Sequence, residues 1–169
     1  MKTIETPESS QPGTPMLFFA AGMIVLLDQL LKYLCDAALS YNQPMTVFPG
    51  FDLLLVYNTG AAFSFLSDAG GWQRWLLTLI SLVVSVVIAI WIVRLRPHEK
   101  LLGVALALVL GGAAGNLIDR VFLGYVIDFI SLYYGEYRFA TFNLADAAIS
   151  IGAGLMALDL LFSREPSHE

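Results

Sequence analysis

Charge is scarce in this 169-residue chain: Asp, Glu, Lys and Arg make up 14% of it, against 57% hydrophobic residues and a mean hydropathy of +0.72. An ordinary soluble domain carries about 25% charged residues, so a water-soluble monomer is excluded. Cations are scarcer than anions, nine against 14, for a net charge of −5 and a pI near 4.9. With no basic face to neutralise phosphates, nucleic acid is excluded as a partner. Cys35 is the only cysteine, which rules out an internal disulfide, and only His98 and His168 stand beside it as soft ligands. No zinc set can be assembled from them, and neither metal nor cofactor is expected. The chain also lacks H-E-x-x-H, G-x-S-G and G-x-G-D, and no apolar run contains a histidine. Metalloprotease, serine-dyad and presenilin-type chemistry therefore lack parts.

Long apolar runs are what the chain has instead: Pro15–Cys35, Trp75–Val93, Leu101–Ile118 and Leu144–Ser163, each of 18 to 21 residues. At 1.5 Å of rise per residue each crosses, or nearly crosses, a hydrocarbon core of about 30 Å. The first reads as a retained span rather than a cleaved signal peptide, because Lys2 is offset by Glu5 and Glu8 and the run is too long. Four spans put both termini and the link Arg94–Lys100 on one side. That link holds three cations in seven residues, while residues 36–71 hold none, which favours termini and link in the cytoplasm. The expectation is one membrane domain over residues 1–169. It has a polar cytoplasmic tail (1–14), spans at about 15–35, 75–93, 101–118 and 144–163, and two outer excursions, Asp36–Arg74 and Asp119–Asn143.

The excursions are not simple loops. Phe51–Phe65 is apolar and rich in β-formers, follows Pro49-Gly50 and is broken at Gly60, which suits a small extracytoplasmic sheet. Val121–Phe142 is dense in Phe and Tyr, a composition suited to the membrane interface.

A charge at bilayer depth is costly and usually marks function, so the polar residues are placed by depth. Asp28 and Lys32 fall in the outer half of the first span, Asn116, Asp119 and Arg120 at the outer end of the third, and Asn143 and Asp146 at the outer start of the fourth. Asn58 and Asp128, in the excursions, can join them there. Each has a plain structural reading beside the functional one. Asp28 and Lys32 are an i,i+4 pair that can neutralise each other, with Lys32 reaching to the interface. Asn143-x-x-Asp146 has capping-box spacing, and from the spacing alone capping is the commoner role. Asp119 sits unfavourably at a helix C-terminus and needs a partner, for which the adjacent Arg120 is a candidate. Asp159, near the inner end of the last span, reads as interfacial. Gly111-Gly112-Ala113-Ala114-Gly115 has the small-residue spacing of close helix contacts. Asp128, in Tyr125–Phe129 with no cation nearby in sequence, has no cheap structural role.

If Asp128 and Asp146 face each other they cannot both ionise easily, and the pair shares a proton. One carboxylate then activates water while its protonated partner donates to a carbonyl oxygen, the division of labour of aspartic proteases.

Five blocks stand in one order along the chain: Asp28-Gln29-x-x-Lys32, Tyr57-Asn58-Thr59-Gly60-Ala61-Ala62-Phe63, Gly111-Gly112-Ala113-x-Gly115-Asn116-Leu117-Ile118-Asp119-Arg120, Val126-Ile127-Asp128-Phe129, and Phe142-Asn143-Leu144-Ala145-Asp146. In these blocks the chain resembles the lipoprotein signal peptidases, or signal peptidase II, of bacterial plasma membranes, from about Asp28 to Ser163. The one visible departure is Leu31, where the family usually has a small hydroxyl residue. The resemblance implies removal of the signal peptide from prolipoproteins on the N-terminal side of a diacylglyceryl-modified cysteine, without metal, by two aspartates that fall on Asp128 and Asp146. It implies that Asn58, Gly60, Asn116, Arg120 and Asn143 bind substrate backbone or orient the dyad, with Asp28, Lys32 and Asp119 in support. Implied partners are the lipidated prolipoprotein, membrane lipid and cyclic lipopeptide inhibitors of the globomycin type. The implied fold class is an all-α membrane protein of four transmembrane helices, with a small extracytoplasmic β-cradle and a short extracytoplasmic helix or loop. The aromatic segment after Asp128 resembles a flexible cover over the site. The rival readings are a small carboxylate-lined transporter or proton-coupled channel, and a scaffold for a larger complex. The first needs a continuous polar path, yet Trp75–Leu110 offers its spans only Thr78, Ser81 and Ser85.

Overall fold

A computed structural model describes residues 13–60 and 71–162. The polar tail through residue 12, the Ala61-Ala62-Phe63 part of the second block and the expected end of the fourth span at Ser163 lie outside the described residues.

Four helices carry the apolar runs: α1 (Thr14–Ala38), α2 (Trp72–Val93), α3 (Lys100–Phe122) and α4 (Leu144–Phe162). Each is long and apolar enough to cross a membrane, with mean hydropathies of 1.7, 2.9, 2.1 and 1.7 in their best windows. α1 opens with Pro15 in its first turn, where the missing N–H costs nothing. α1, α2 and α3 run past their expected outer limits, to Ala38, from Trp72 and to Phe122, so Asp119 and Arg120 stand in the last turn of α3 rather than beyond it.

α3 is the central helix and packs against the other three, most extensively against α4. Its small residues make this possible. A Cβ at Gly111 would lie 2.7 Å from Ile24 Cβ and 2.8 Å from the Ala21 carbonyl of α1, and one at Gly112 would meet the Ala145 carbonyl of α4. Gly152 of α4 makes the reciprocal approach, 2.7 Å from the Ala105 carbonyl. The glycine stretch thus seats α1 and α4 on two faces of one helix. The outward faces of the remaining helices stay apolar and uncovered: Phe19, Leu26, Leu79, Ile151 and Leu161 are all exposed. Burying such surface against lipid is the arrangement that its area demands.

Beyond one end of the helices lies a four-stranded antiparallel sheet in the order β1 (Met45–Phe48), β2 (Phe51–Asn58), β3 (Val126–Tyr134), β4 (Tyr137–Arg138). β1 and β2 are joined by Pro49-Gly50, where Gly50 takes φ +94, a value a Pro-Gly turn supplies. The sequence reading foresees a strand in Phe51–Phe65 but not its partners. The aromatic segment after Asp128, expected as a flexible cover, is strand β3, paired with β2 from Val126–Asn58 to Leu132–Phe51. Beyond these helix ends, the described residues 39–60 and 123–143 hold strands and turns, and no further helix. Arg138 fastens β4 to the sheet, donating at 2.7 Å to the buried Asp52 and at 2.6 Å to Ser131. That ion pair holds the Asp52 carboxyl below its ordinary range despite burial.

Candidate active site

Three elements meet at the C-terminal end of α3, and each positions its polar side chains by its own geometry. In the β2–β3 ladder Asn58 pairs with Val126 and Val56 with Asp128, so Asn58 and Asp128 are diagonal neighbours on one face. Asn58 Nδ2 donates to Asp128 Oδ2 at 3.0 Å, and its own Oδ1 accepts the Gly60 N–H at 2.9 Å. At the start of α4, Asn143 and Asp146 do form a capping box: the Asp146 N–H donates to Asn143 Oδ1 at 2.9 Å, and the Asn143 N–H to Asp146 Oδ2 at 3.3 Å. The capping contacts leave Asn143 Nδ2 for other partners, and it donates to Asp128 Oδ1 at 2.7 Å. Asn116 of α3 supplies the last donor, from Nδ2 to Asp146 Oδ1 at 2.8 Å.

Each of the four oxygens of Asp128 and Asp146 therefore accepts one N–H, and Asn143 bridges the two residues. Both carboxylates line a cavity of about 470 Å³ together with Asn58, Asn116 and Arg120. Its remaining wall is largely apolar, with Leu132, Ile149 and the aromatic rings of Phe139 and Phe142, so part of the aromatic segment does flank the site. Burial, and next the charge of Asp146, push the Asp128 carboxyl from 3.8 up to about 7, against the hydrogen bonds from Asn58 and Asn143 that favour its anion.

Behind the cavity lies a second, fully buried charge cluster. Lys32 Nζ sits 2.8 Å from Asp28 Oδ2 and 2.9 Å from Asp119 Oδ2, and donates to Asn116 Oδ1 at 2.9 Å. The i,i+4 pair thus forms as expected, but Lys32 does not reach the interface: it is 2% exposed and points inward. The expected Asp119–Arg120 pairing does not occur either. Adjacent residues on a helix point about 100° apart. Asp119 faces α1 and binds Lys32 and Gln29, whose Nε2 lies at 2.8 Å. Arg120 faces the cavity and donates to the Gly60 carbonyl at 3.3 Å. Asp119 also accepts the Ile127 N–H at 3.2 Å, which fixes β3 one residue before Asp128. Asp28 accepts the Ala145 N–H at 2.9 Å, a carboxylate at the positive end of α4. Gly115 makes room for it, since a Cβ there would lie 2.7 Å from Asp28 Oδ2.

All ten site residues expected from the sequence gather in this region. Asp159 stays at the far end of α4, outside it. The sequence reading assigned no role to Gln29, though it stands inside the first block, nor to Arg74. Among the described residues, no three His, Cys, Asp or Glu side chains are grouped to hold a metal ion.

The sequence model of Signal peptidase (SPase) II matches residues 20–162. The chain belongs to the signal peptidase II family. It is 51% identical over 165 residues to the lipoprotein signal peptidase of Ectopseudomonas mendocina (strain ymp), covering 96% of this chain and 98% of the relative. Against that of Pseudomonas aeruginosa (strain UCBPP-PA14) the identity is 48%, over 94% and 95% of the two chains. Among solved structures, one described as a bacterial membrane enzyme determined by the in meso method at 2.3 Å resolution superposes with a TM-score of 0.79 at 27% identity. That match covers 92% of this chain and 94% of the other. Membership of the signal peptidase II family makes this a multi-pass bacterial membrane protease that cleaves signal peptides, with prolipoproteins as its substrates.

Proposed function

We propose that this signal peptidase II is an aspartic endopeptidase whose dyad is Asp128 and Asp146. The observation that carries the reading is the pair of carboxylates bridged by Asn143 on one cavity wall, with Asp128 raised to about 7. At neutral pH such a pair holds one proton between two carboxylates. The unprotonated carboxylate takes a proton from water, whose oxygen attacks the scissile carbonyl carbon. The proton of its partner passes to the carbonyl oxygen. Collapse of the resulting diol breaks the C–N bond as the amine nitrogen takes the proton from the dyad, and a diol hydroxyl, becoming the carbonyl of the product acid, returns its own proton to the pair. Asn58, Gly60, Asn116, Arg120 and Asn143 hold substrate backbone or orient the dyad, and Asp28, Lys32 and Asp119 brace it.

The bond cut is the one on the N-terminal side of a diacylglyceryl-modified cysteine. A lipidated substrate arrives laterally with its acyl chains among lipid, and a cavity at the end of the bundle with Leu132, Phe139 and Ile149 in its wall suits that approach. The chain functions as a single domain in the bacterial inner membrane, with termini in the cytoplasm and the site near the extracytoplasmic face. Cyclic lipopeptides of the globomycin type compete for the same cavity.

The test is cleavage of a diacylglyceryl-modified prolipoprotein in detergent or lipid by wild type, Asp128→Asn and Asp146→Asn, with the unlipidated precursor as control. Only wild type is expected to cut, and only the lipidated form. Normal turnover by both variants would end the dyad reading, and equal cleavage of the unlipidated precursor would end the lipid requirement.

A further inference from the structure

The last turns of α3 carry Asn116, Asp119 and Arg120, so the seat of that helix end decides where three site side chains project. A helix C-terminus leaves its last carbonyls without partners inside the helix. The Asp119 carbonyl accepts the N–H groups of Leu123 at 2.7 Å and Gly124 at 3.2 Å. The next two carbonyls are both taken by one side chain from the first turn of α2: Arg74 donates from Nε to the Arg120 oxygen at 2.9 Å and from Nη2 to the Val121 oxygen at 2.8 Å. A planar fork spans two successive carbonyls in one fixed geometry, and a cation at a helix C-terminus also meets the negative end of the dipole.

The seat is shaped for this guanidinium. Gly124 follows the helix at φ +89, a conformation side chains rarely adopt, and a Cβ there would come within 3.0 Å of Arg74 Nη1. The Trp75 ring lies 5.0 Å from Arg74 Cζ on another side. Arg74 does not line the cavity.

We propose that Arg74 is a positioning residue for Arg120. By gripping the backbone of Arg120 and of the residue after it, Arg74 fixes the direction in which the Arg120 side chain crosses to the Gly60 carbonyl and the cavity. The proposal rests on the reading of Arg120 as a group that holds substrate.

Steady-state cleavage of the lipidated precursor by wild type, Arg74→Ala, Arg120→Ala and the double variant tests it, beside thermal melts in the same detergent. Arg74→Ala is expected to raise KM about tenfold, on the scale of one lost charge-assisted hydrogen bond, with kcat within about threefold of wild type. The double variant is expected to match Arg120→Ala in KM within about twofold, because both changes disable one group. A lowered melting temperature with unchanged KM would show Arg74 to be merely structural and overturn the proposal, as would additive effects on KM. Should Arg74→Ala not fold, Arg74→Gln keeps one donor for one carbonyl; a KM rise of about threefold supports the proposal and a wild-type KM overturns it. A wild type that does not cut refutes the peptidase reading and this proposal with it, whereas a cutting wild type with an unmoved Arg74→Ala KM refutes this proposal alone.

Discussion

A carboxyl raised to about 7 by burial and a like charge weakens the fold as pH rises, and the size of that effect follows from linkage. The group binds its proton more tightly folded than unfolded. Its contribution to stability is therefore fully present below the unfolded value of 3.8 and is lost as pH climbs through the window to about 7. Between pH 5 and pH 8 the loss comes to about 2.6 kcal/mol, at 1.36 kcal/mol per unit. Asp128→Asn removes this titration. The amide also turns an NH2 toward one of the two donors that now serve the carboxylate, Asn58 or Asn143, at a cost of about 1–3 kcal/mol. That cost is the same at every pH and cancels when the variant is compared with wild type across pH. The melting temperature of Asp128→Asn relative to wild type is thus expected to rise by about 5–10 °C from pH 5 to pH 8, taking the size scaling of soluble domains. The assay is a thermal melt of both proteins in one detergent at constant ionic strength. The shift reports the proton that Asp128 holds against burial and the neighbouring charge of Asp146. A melting-temperature difference constant from pH 5 to pH 8 would refute the shared proton.

On the proposed dyad mechanism the same proton governs turnover: kcat/KM is expected to fall about tenfold per pH unit above pH 7, the value to which Asp128 is raised, and a flat profile to pH 9 would contradict an acid in the dyad. Lys32→Met leaves Asp28 and Asp119 buried without their cation, which is expected to cost about 3–5 kcal/mol, read as a sharply lower melting temperature. A melt within a degree or two of wild type would mean that the cluster is neutral without Lys32. Gly112→Ala pushes a methyl against the Ala145 carbonyl and within 2.7 Å of Ile149 Cγ1, so α3 and α4 must separate, at about 1–3 kcal/mol. Because Ala145 directly precedes Asp146, kcat is expected to fall with stability, and normal activity would show that the helices accommodate the methyl without moving the site.

The spans were legible because length and hydropathy are local quantities, and the depth of each charged residue follows from them. Half of the sheet was legible for the same reason: β2 lies between Pro49-Gly50 and Gly60 and is rich in β-formers. β3 was not, because its partner is β2, roughly 70 residues away, and its Phe and Tyr content reads equally well as an interfacial segment. The site residues were legible as blocks, but the pairing among them was not. Sequence adjacency suggested Asp119 with Arg120, whereas the helix turns one toward Lys32 and the other toward the cavity. Arg74 gave no signal at all, since its partners are backbone carbonyls, which every sequence has.

The polarity of the site follows from groups that can only donate. Lys32 has no acceptor to offer, so Asn116 must present Oδ1 to it, and its NH2 is left facing Asp146. The Asp146 N–H, held by the capping box, claims Asn143 Oδ1 and turns that NH2 toward Asp128. The Gly60 N–H claims Asn58 Oδ1 and does the same on the strand side. Three amides are thereby locked with their donors on the two carboxylates, since rotating any of them by 180° would set donor against donor at one end and acceptor against acceptor at the other. A buried cation behind the site, a helix cap and a turn after a strand thus perform one task. Each points an N–H at the two carboxylates, so that a proton held between them, as the proposed dyad requires, is the one that can move.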